Sequence, residues 1–521
     1  MDYQLSGRSN MAHVRLDIEK LGERWSETLL WYARGVAELK KRPIADPTSW
    51  RYLAAIHGFD KDLWIDAGYL TEDEALPSEK EQSVYWGQCQ HSTWFFLPWH
   101  RGYTAAVEQI LRSAIVGLGG PKEWAFPYWN YNESSQSLKV PACFSARTLP
   151  DGTPNPLFVE RRFGTELNPA DIALKALTDP VFEGRYDGVP PGFGGSELKT
   201  AHDHPGAGGL EKQPHNVVHN IVGGSEGVDP KIDGLMGDSD TAALDPIFWA
   251  HHANIDRLWE VWRKRNPDHQ NPDLPSWYNG PVIPGLVFIM PTVEGTPWTF
   301  KAGDMVDTLA PRLDYIYEDT SDPISTVEPV RQRLLRLGIA AKGLSVEHTR
   351  LLAMREPEAA ELIGASQTSV DLSRGSVETP VQLDKLASSK VFTSLKVAGL
   401  SADPQLPDRV FLNMENIRGK SDSAVFHVYI NLPDGVDPAS YPQLLAGTLA
   451  LFGVRKASKP DGDHGGNGVG QVLEITHIID ALHLEGVQDL SQLKVRFIPV
   501  STVVPADQFT IGRVSIYRLG S

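Results

Sequence analysis

Seven histidines in the first half of the chain have spacings that suit metal chemistry. His215 and His219 are four residues apart, so on a helix they share one face. Pro214 suits the first turn of that helix, and Gly223-Gly224 suits its end. His251 and His252 fall in a second segment, which Asp245 opens as N-cap and Pro246 as first residue and which runs to about Arg265. Adjacent helical residues point about 100° apart, so only one of this pair faces a given metal. His91 and His100 bracket Phe95-Phe96-Leu97-Pro98-Trp99, and His57 closes the apolar helical end Tyr52-Leu53-Ala54-Ala55-Ile56. Buried among aromatic rings, each imidazole needs a hydrogen-bond partner or a metal. Neutral imidazole suits copper, and also zinc and iron. No HExxH is present to supply a metalloprotease base, and no carboxylate interleaves these histidines to bridge a two-metal hydrolytic site. An all-histidine set favours copper. His202 and His204, in His-Asp-His-Pro-Gly, read as a solvated loop.

The elements that must position these residues are unevenly distributed. All 14 Trp lie at or before Trp298, with both Cys and eleven of the 16 His. Residues 1–320 read as a mainly α catalytic unit with long loops. Leu16 to Lys41 has apolar residues at helical spacing and stops before Pro43; Tyr103 to Val116 reads similarly. Residues 145–210, rich in Gly and Pro, read as irregular loops. Residues 321–376 read as a partly helical linker. Residues 377–521 read as an antiparallel β-sandwich-like unit, with alternating strands at Val425–Ile430, Val495–Ile498 and Arg513–Tyr517.

Composition excludes several classes of partner. The 521 residues carry a net charge of −17, which repels nucleic acid and anionic membranes. Two cysteines exclude a disulfide scaffold. No apolar stretch reaches transmembrane length, and the N-terminus lacks a secretory h-region, so a cytoplasmic location is the default expectation.

Two longer stretches resemble a known family. His91-Ser-Thr-Trp-Phe-Phe-Leu-Pro-Trp-His100-Arg101 through Glu108, and Asp245-Pro-Ile-Phe-Trp-Ala-His251-His252 through Asp256, resemble the two copper signatures of the tyrosinase/polyphenol oxidase family. These type 3 copper proteins include molluscan haemocyanin. The resemblance spans roughly residues 10–320. It implies two copper ions, with His57, His91 and His100 on the first and His215, His219 and His252 on the second, leaving His251 to packing. It implies a water-holding base at Glu211 with Asn216 as partner, and a tuning role for Asn220 at the pocket mouth. Ser239 falls at a gate position, where its small side chain implies an open approach. Cys89 stands where relatives form a thioether with His91, whereas Cys143 reads as an ordinary thiol. Asp256 is placed for a stabilising polar contact. Tyr315-Ile316-Tyr317 resembles the motif that closes the catalytic domain.

The implied activity uses dioxygen as co-substrate, hydroxylates monophenols to o-diphenols and oxidises these to o-quinones. One alternative is catechol or o-aminophenol oxidation without hydroxylation. Another is a haemocyanin-like dioxygen carrier, against which a single copper unit argues. The second unit resembles the C-terminal domain of plant polyphenol oxidases, which covers the copper site. The loop around His464 is a candidate for insertion into that site.

Overall fold

The computed structural model describes residues 12–22, 24–185, 189–200, 206–324, 329–338, 359–400, 406–460, 465–487 and 490–520. Five helices frame the first unit: α1 (Glu27–Lys40), α2 (Trp50–His57), α3 (Phe96–Gly117), α4 (Val217–Gly223) and α5 (Ile247–Arg265). Ser26 caps α1 by accepting the Leu29 N–H, and Ser49 caps α2 by accepting the Tyr52 N–H. The apolar stripe of α1 (Leu29, Tyr32, Val36, Leu39) turns inward onto α3. The approach is close: a Cβ at Gly35 would stand 2.8 Å from Leu111. The expected helix at 103–116 begins earlier, at Phe96, which puts His100 in its opening turns. Pro98 is tolerated there because first-turn N–H groups have no intrahelical acceptor. Asp245 caps α5 as expected, its carboxylate accepting the Ile247 N–H at 3.1 Å.

One buried ion cluster ties α3, α5 and both ends of this unit together. His13–Arg15 pairs in parallel with Tyr315–Tyr317. Arg15 donates to Glu108 on α3 (2.9 Å) and to Asp256 on α5 (3.1 Å). Arg101, the neighbour of His100, donates to the other Asp256 oxygen at 2.5 Å. The Tyr315 and Tyr317 hydroxyls complete the shell of Asp256. Burial alone would raise this carboxyl, but the Arg101 and Arg15 guanidiniums outweigh it and hold it below its ordinary range.

The second unit is one nearly closed antiparallel sheet. From edge to edge its strands are Leu445–Ala450, Val425–Ile430, Gln492–Pro499, Val377–Leu383, Glu361–Ala365, Thr510–Leu519, Arg409–Arg418 and Val469–Glu474, and Val370–Asp371 adds to Thr510–Leu519. The edges approach each other where a Cβ at Gly447 would lie 3.0 Å from Leu473. Lys385–Leu400 packs Val391, Phe392 and Leu395 onto the sheet's apolar core. The sheet therefore begins at Glu361, inside the stretch read from the sequence as linker; Pro329–Arg336 is helical as expected. The misreading has a local cause: Glu361–Ala365 is short and carries little alternation, so only its partners define it as a strand. Among the described residues no helix is long and apolar enough to cross a membrane.

Asp256→Ala removes the carboxylate that Arg15 and Arg101 share and leaves Arg15 only Glu108 and Arg101 only Glu260, at a cost of about 3 kcal/mol. Denaturant unfolding of the full chain measures this, and a loss below about 1 kcal/mol would show that the cluster is dispensable.

Candidate metal centre

Six of the seven histidines concerned come from α2, α3, α4 with its preceding turn, and α5, and one comes from a loop. His57 is the last residue of α2, and the extended Gly58 after it leaves room for an incoming loop. A Cβ at Gly58 would stand 2.4 Å from the Ser239 carbonyl. His91 lies in the loop before α3, followed by Ser92 at φ 58°. His215 closes an irregular turn, Glu211–Asn216, kinked at Gln213, and His219 lies one turn further along on α4. The structure gathers these residues into two groups, His57, His91 and His100 with Cys89, and His215, His219, His251 and His252, with the potential ligand atoms of each within 4.8 Å of one another. His91 and His215 adjoin across the two groups, their ring centroids 5.7 Å apart.

Hydrogen bonding fixes how four of these rings face. The Nδ1 of His57 meets the Ser239 carbonyl at 2.8 Å, that of His100 the Phe96 carbonyl at 2.8 Å, and that of His219 the Met236 carbonyl at 2.9 Å. The Nδ1 of His215 meets the Asn216 side-chain oxygen at 2.7 Å. Each such bond puts the proton on Nδ1 and leaves a lone pair on Nε2 aimed inward. The Nε2 atoms of His57 and His215 are buried and make no other hydrogen bond, and His219 and His252 turn Nε2 toward Nε2 at 3.3 Å. A cation between such lone pairs satisfies both. Burial lowers the affinity of His57 for protons to a pKa of about 4 and that of His215 to about 3, and burial with neighbouring rings lowers the other five as well. All are therefore neutral ligands near pH 7.

His251 and His252 both lie within reach of the second group, but their surroundings differ. His252 stacks flat on His100 of the first group, at 4.5 Å and 8°. His251 leans toward Tyr131 on its other side, and neither of its nitrogens is hydrogen-bonded. The Cys89 sulfur stands 3.5 Å from both ring nitrogens of His91, in the plane that bisects the ring through Cε1. Cys143 is a buried free thiol remote from the histidines.

Glu211 is buried beside this centre. One oxygen accepts the Ser92 N–H at 2.7 Å, linking the two half-sites, and the other is buried without a partner. Burial raises its carboxyl to about 8. Asn216, next to His215, accepts with its side-chain oxygen from the Nδ1 of that ring. Asn220 is buried, donating to the Asp422 carbonyl of the second unit. Ser239 is also buried rather than open: its backbone N–H and hydroxyl face the Asp422 carboxylate, and its carbonyl serves His57. His202 and His204 lie outside the described residues.

Sequence reasoning missed what lies over the histidines. Phe452 of the second unit stacks on His219 at 4.1 Å and 20°, with its edge toward His91 (5.5 Å) and His215 (5.8 Å). It belongs to the first unit's apolar core. Its only local signal is an apolar residue before Gly453, which turns the chain at φ 83°. The loop around His464 lies at the edge of the described residues, with His464 itself outside them.

An all-imidazole pair of clusters in a helical core defines a dinuclear copper protein, and comparison with known proteins agrees. The common central domain of tyrosinase matches residues 47–166 and 185–265, and a family described as a domain of unknown function matches residues 359–519. The tyrosinase HcTyr1 of Hahella sp. (strain CCB-MM4) is 32% identical over 508 residues, covering 94% of this chain and 97% of its own. A chloroplastic polyphenol oxidase of Vitis vinifera is 28% identical over 356 residues, covering 62% of this chain and 50% of its own. Latent apple tyrosinase shares the fold across 100% of both chains, with a TM-score of 0.59 and 19% identity. This chain belongs to the tyrosinase/polyphenol oxidase family, whose dicopper centre its two histidine groups fit.

Metal analysis after copper loading should find two coppers in the wild type and in His251→Ala, and fewer in His252→Ala. The reverse ranking would exchange the roles of the paired histidines.

Glu211 also gives a pH signature in the metal-free protein. Below its ordinary value of 4.5 the carboxyl is protonated in folded and unfolded chains alike; between there and about 8 only the unfolded chain gives up the proton. Its contribution to stability is thus present in acid and lost as pH rises through that window. The thermal midpoint of Glu211→Gln should gain on that of the wild type between about pH 5 and about pH 8. A constant difference would place Glu211 in contact with solvent.

Proposed function

We propose that this type 3 copper phenol oxidase is a tyrosinase, hydroxylating monophenols and oxidising the resulting o-diphenols to o-quinones, and that the full chain is latent. His57, His91 and His100 would hold one copper and His215, His219 and His252 the other. The observation that carries the hydroxylase reading is the buried, unpartnered oxygen of Glu211 next to the histidines. The copper pair supplies dioxygen chemistry when bound. What the chain itself adds is a place for the phenol proton. A buried carboxylate with a free oxygen can take that proton directly or through one water. The four Nδ1 contacts hold the rings of His57, His100, His215 and His219 in one orientation. The Cys89 sulfur, 3.5 Å from both ring nitrogens of His91 and 3.3 Å from Nε2 of His100, is close enough to support a thioether with His91 that would immobilise that loop ligand.

Latency rests on Phe452. Its ring occupies the face shared by His91, His215 and His219, so an aromatic substrate reaching that face must displace it. Polar contacts reinforce the docking: His427 and Thr448 both reach Asp171, each at 2.7 Å.

Glu211→Gln should depress turnover of a monophenol more than that of a catechol, because a catechol is more acidic and already carries its second oxygen. Equal loss on both substrates would leave catechol oxidation as the better reading. Phe452→Ala removes about 3–5 kcal/mol of packing from the docked state. Catechol turnover per copper should therefore rise by at least about tenfold, since each 1.4 kcal/mol shifts a closed–open equilibrium by that factor. Unchanged turnover at full copper loading would rule out Phe452 as the barrier.

A further inference from the structure

The covering unit touches the copper region at a second place, which substrate exclusion does not require. The loop Leu235–Asp240 supplies two of the carbonyls that orient copper ligands: Met236 for His219 in one group and Ser239 for His57 in the other. The second unit grips this loop residue by residue. Arg455 donates through Nε and Nη2 to Asp238 at 2.8 and 3.0 Å, and through Nη2 to Asp240 at 2.6 Å, so one guanidinium brackets Ser239. Its Nη1 reaches Asp60, near the end of α2, at 3.1 Å. The Ser239 N–H between them points at Asp422, at 3.3 Å. Ser423 lies against Gly237, where a Cβ would stand 2.3 Å from its hydroxyl. Before the loop, buried Lys231 pairs with Asp507 at 3.0 Å, and Ser421 donates to Asp233 at 2.8 Å.

We infer that the C-terminal domain is a positioning element of the copper centre, clamping Leu235–Asp240 so that the Met236 and Ser239 carbonyls hold His219 and His57 in ligating orientation. The physical need is plain. Asp238 and Asp240 flank Ser239 and are both buried, and their like charges repel unless a cation sits between them. Arg455 is that cation; Lys456 approaches only Asp240, at 3.7 Å. Without Arg455 the two carboxylates move toward water and carry the Ser239 carbonyl with them. His57 then loses the acceptor that fixes its tautomer and ring plane. Asp422 adds a directional restraint on the same peptide. Arg455 and Asp422 thus act on copper through the loop, as positioning residues.

The inference rests on the dicopper reading, and equilibrium copper affinity separates the two. Full-length protein is titrated with copper(II) against EDTA, and bound copper is measured by metal analysis. Loss of such an outer contact costs about 10–100-fold in metal affinity, so Arg455→Ala should bind copper at least about tenfold more weakly. His427→Ala loosens the docked domain at Asp171, away from the loop, and should stay within about twofold of wild type, as sites without shared partners do. If Arg455→Ala does not fold, judged by circular dichroism, Arg455→Lys replaces it; an ammonium lacks the planar fork that holds Asp238 through two nitrogens while reaching Asp240 and Asp60, and should weaken binding severalfold. Wild-type affinity in the folded Arg455 variant overturns the inference, as does an equal loss in His427→Ala, which would assign the effect to docking in general. Failure of the wild type itself to bind a copper pair would overturn the dicopper reading instead.

Discussion

Seven imidazoles side by side, six buried and His91 half-buried, cannot be stable as a hydrocarbon core would be. Each carries a donor and an acceptor, and protonation is closed to them because burial and mutual repulsion favour the neutral form. The fold resolves four of the seven donors with protein carbonyls and one side-chain amide and turns the acceptors of His57, His100, His215 and His219 inward. What remains is a set of lone pairs suited to a cation. The rest of the catalytic unit follows from keeping them aimed. The Arg15–Arg101–Glu108–Asp256 cluster locks α3 to α5 one residue from His100 and four from His252, so the two helices carrying these histidines cannot slide past each other.

The C-terminal unit joins this arrangement at two levels. Phe452 covers the face on which an aromatic ring would lie, an apolar contact that a substrate of similar shape can compete with. Arg455 and Asp422 meet the loop behind the ligands, a charged contact that substrate does not approach.

Much of the catalytic site was legible because its spacing is local. The i,i+4 pair of His215 and His219, the paired histidines of α5 and the aromatic run before His100 record helix geometry directly. The Asp245 cap and the stop at Pro43 were equally readable. What the sequence concealed depends on contacts between residues far apart in the chain. Ser239 is small, and read alone it implies an open gate; Asp422, 183 residues away, covers it. Glu361–Ala365 is a strand only because Thr510–Leu519 and Val377–Leu383 flank it. Phe452 is one apolar residue at a turn among many, and nothing in its neighbours announces which pocket it fills.

The central claim is that two three-imidazole sets meet beneath Phe452 in the intact chain. Anomalous diffraction at the copper edge from crystals of the copper-loaded full-length protein tests it most directly. Two copper peaks are expected, one among the Nε2 atoms of His57, His91 and His100 and one among His215, His219 and His252, with the Phe452 ring still stacked on His219. A single peak, a copper held by His251 in place of His252, or a Phe452 ring turned away from the pair would contradict it.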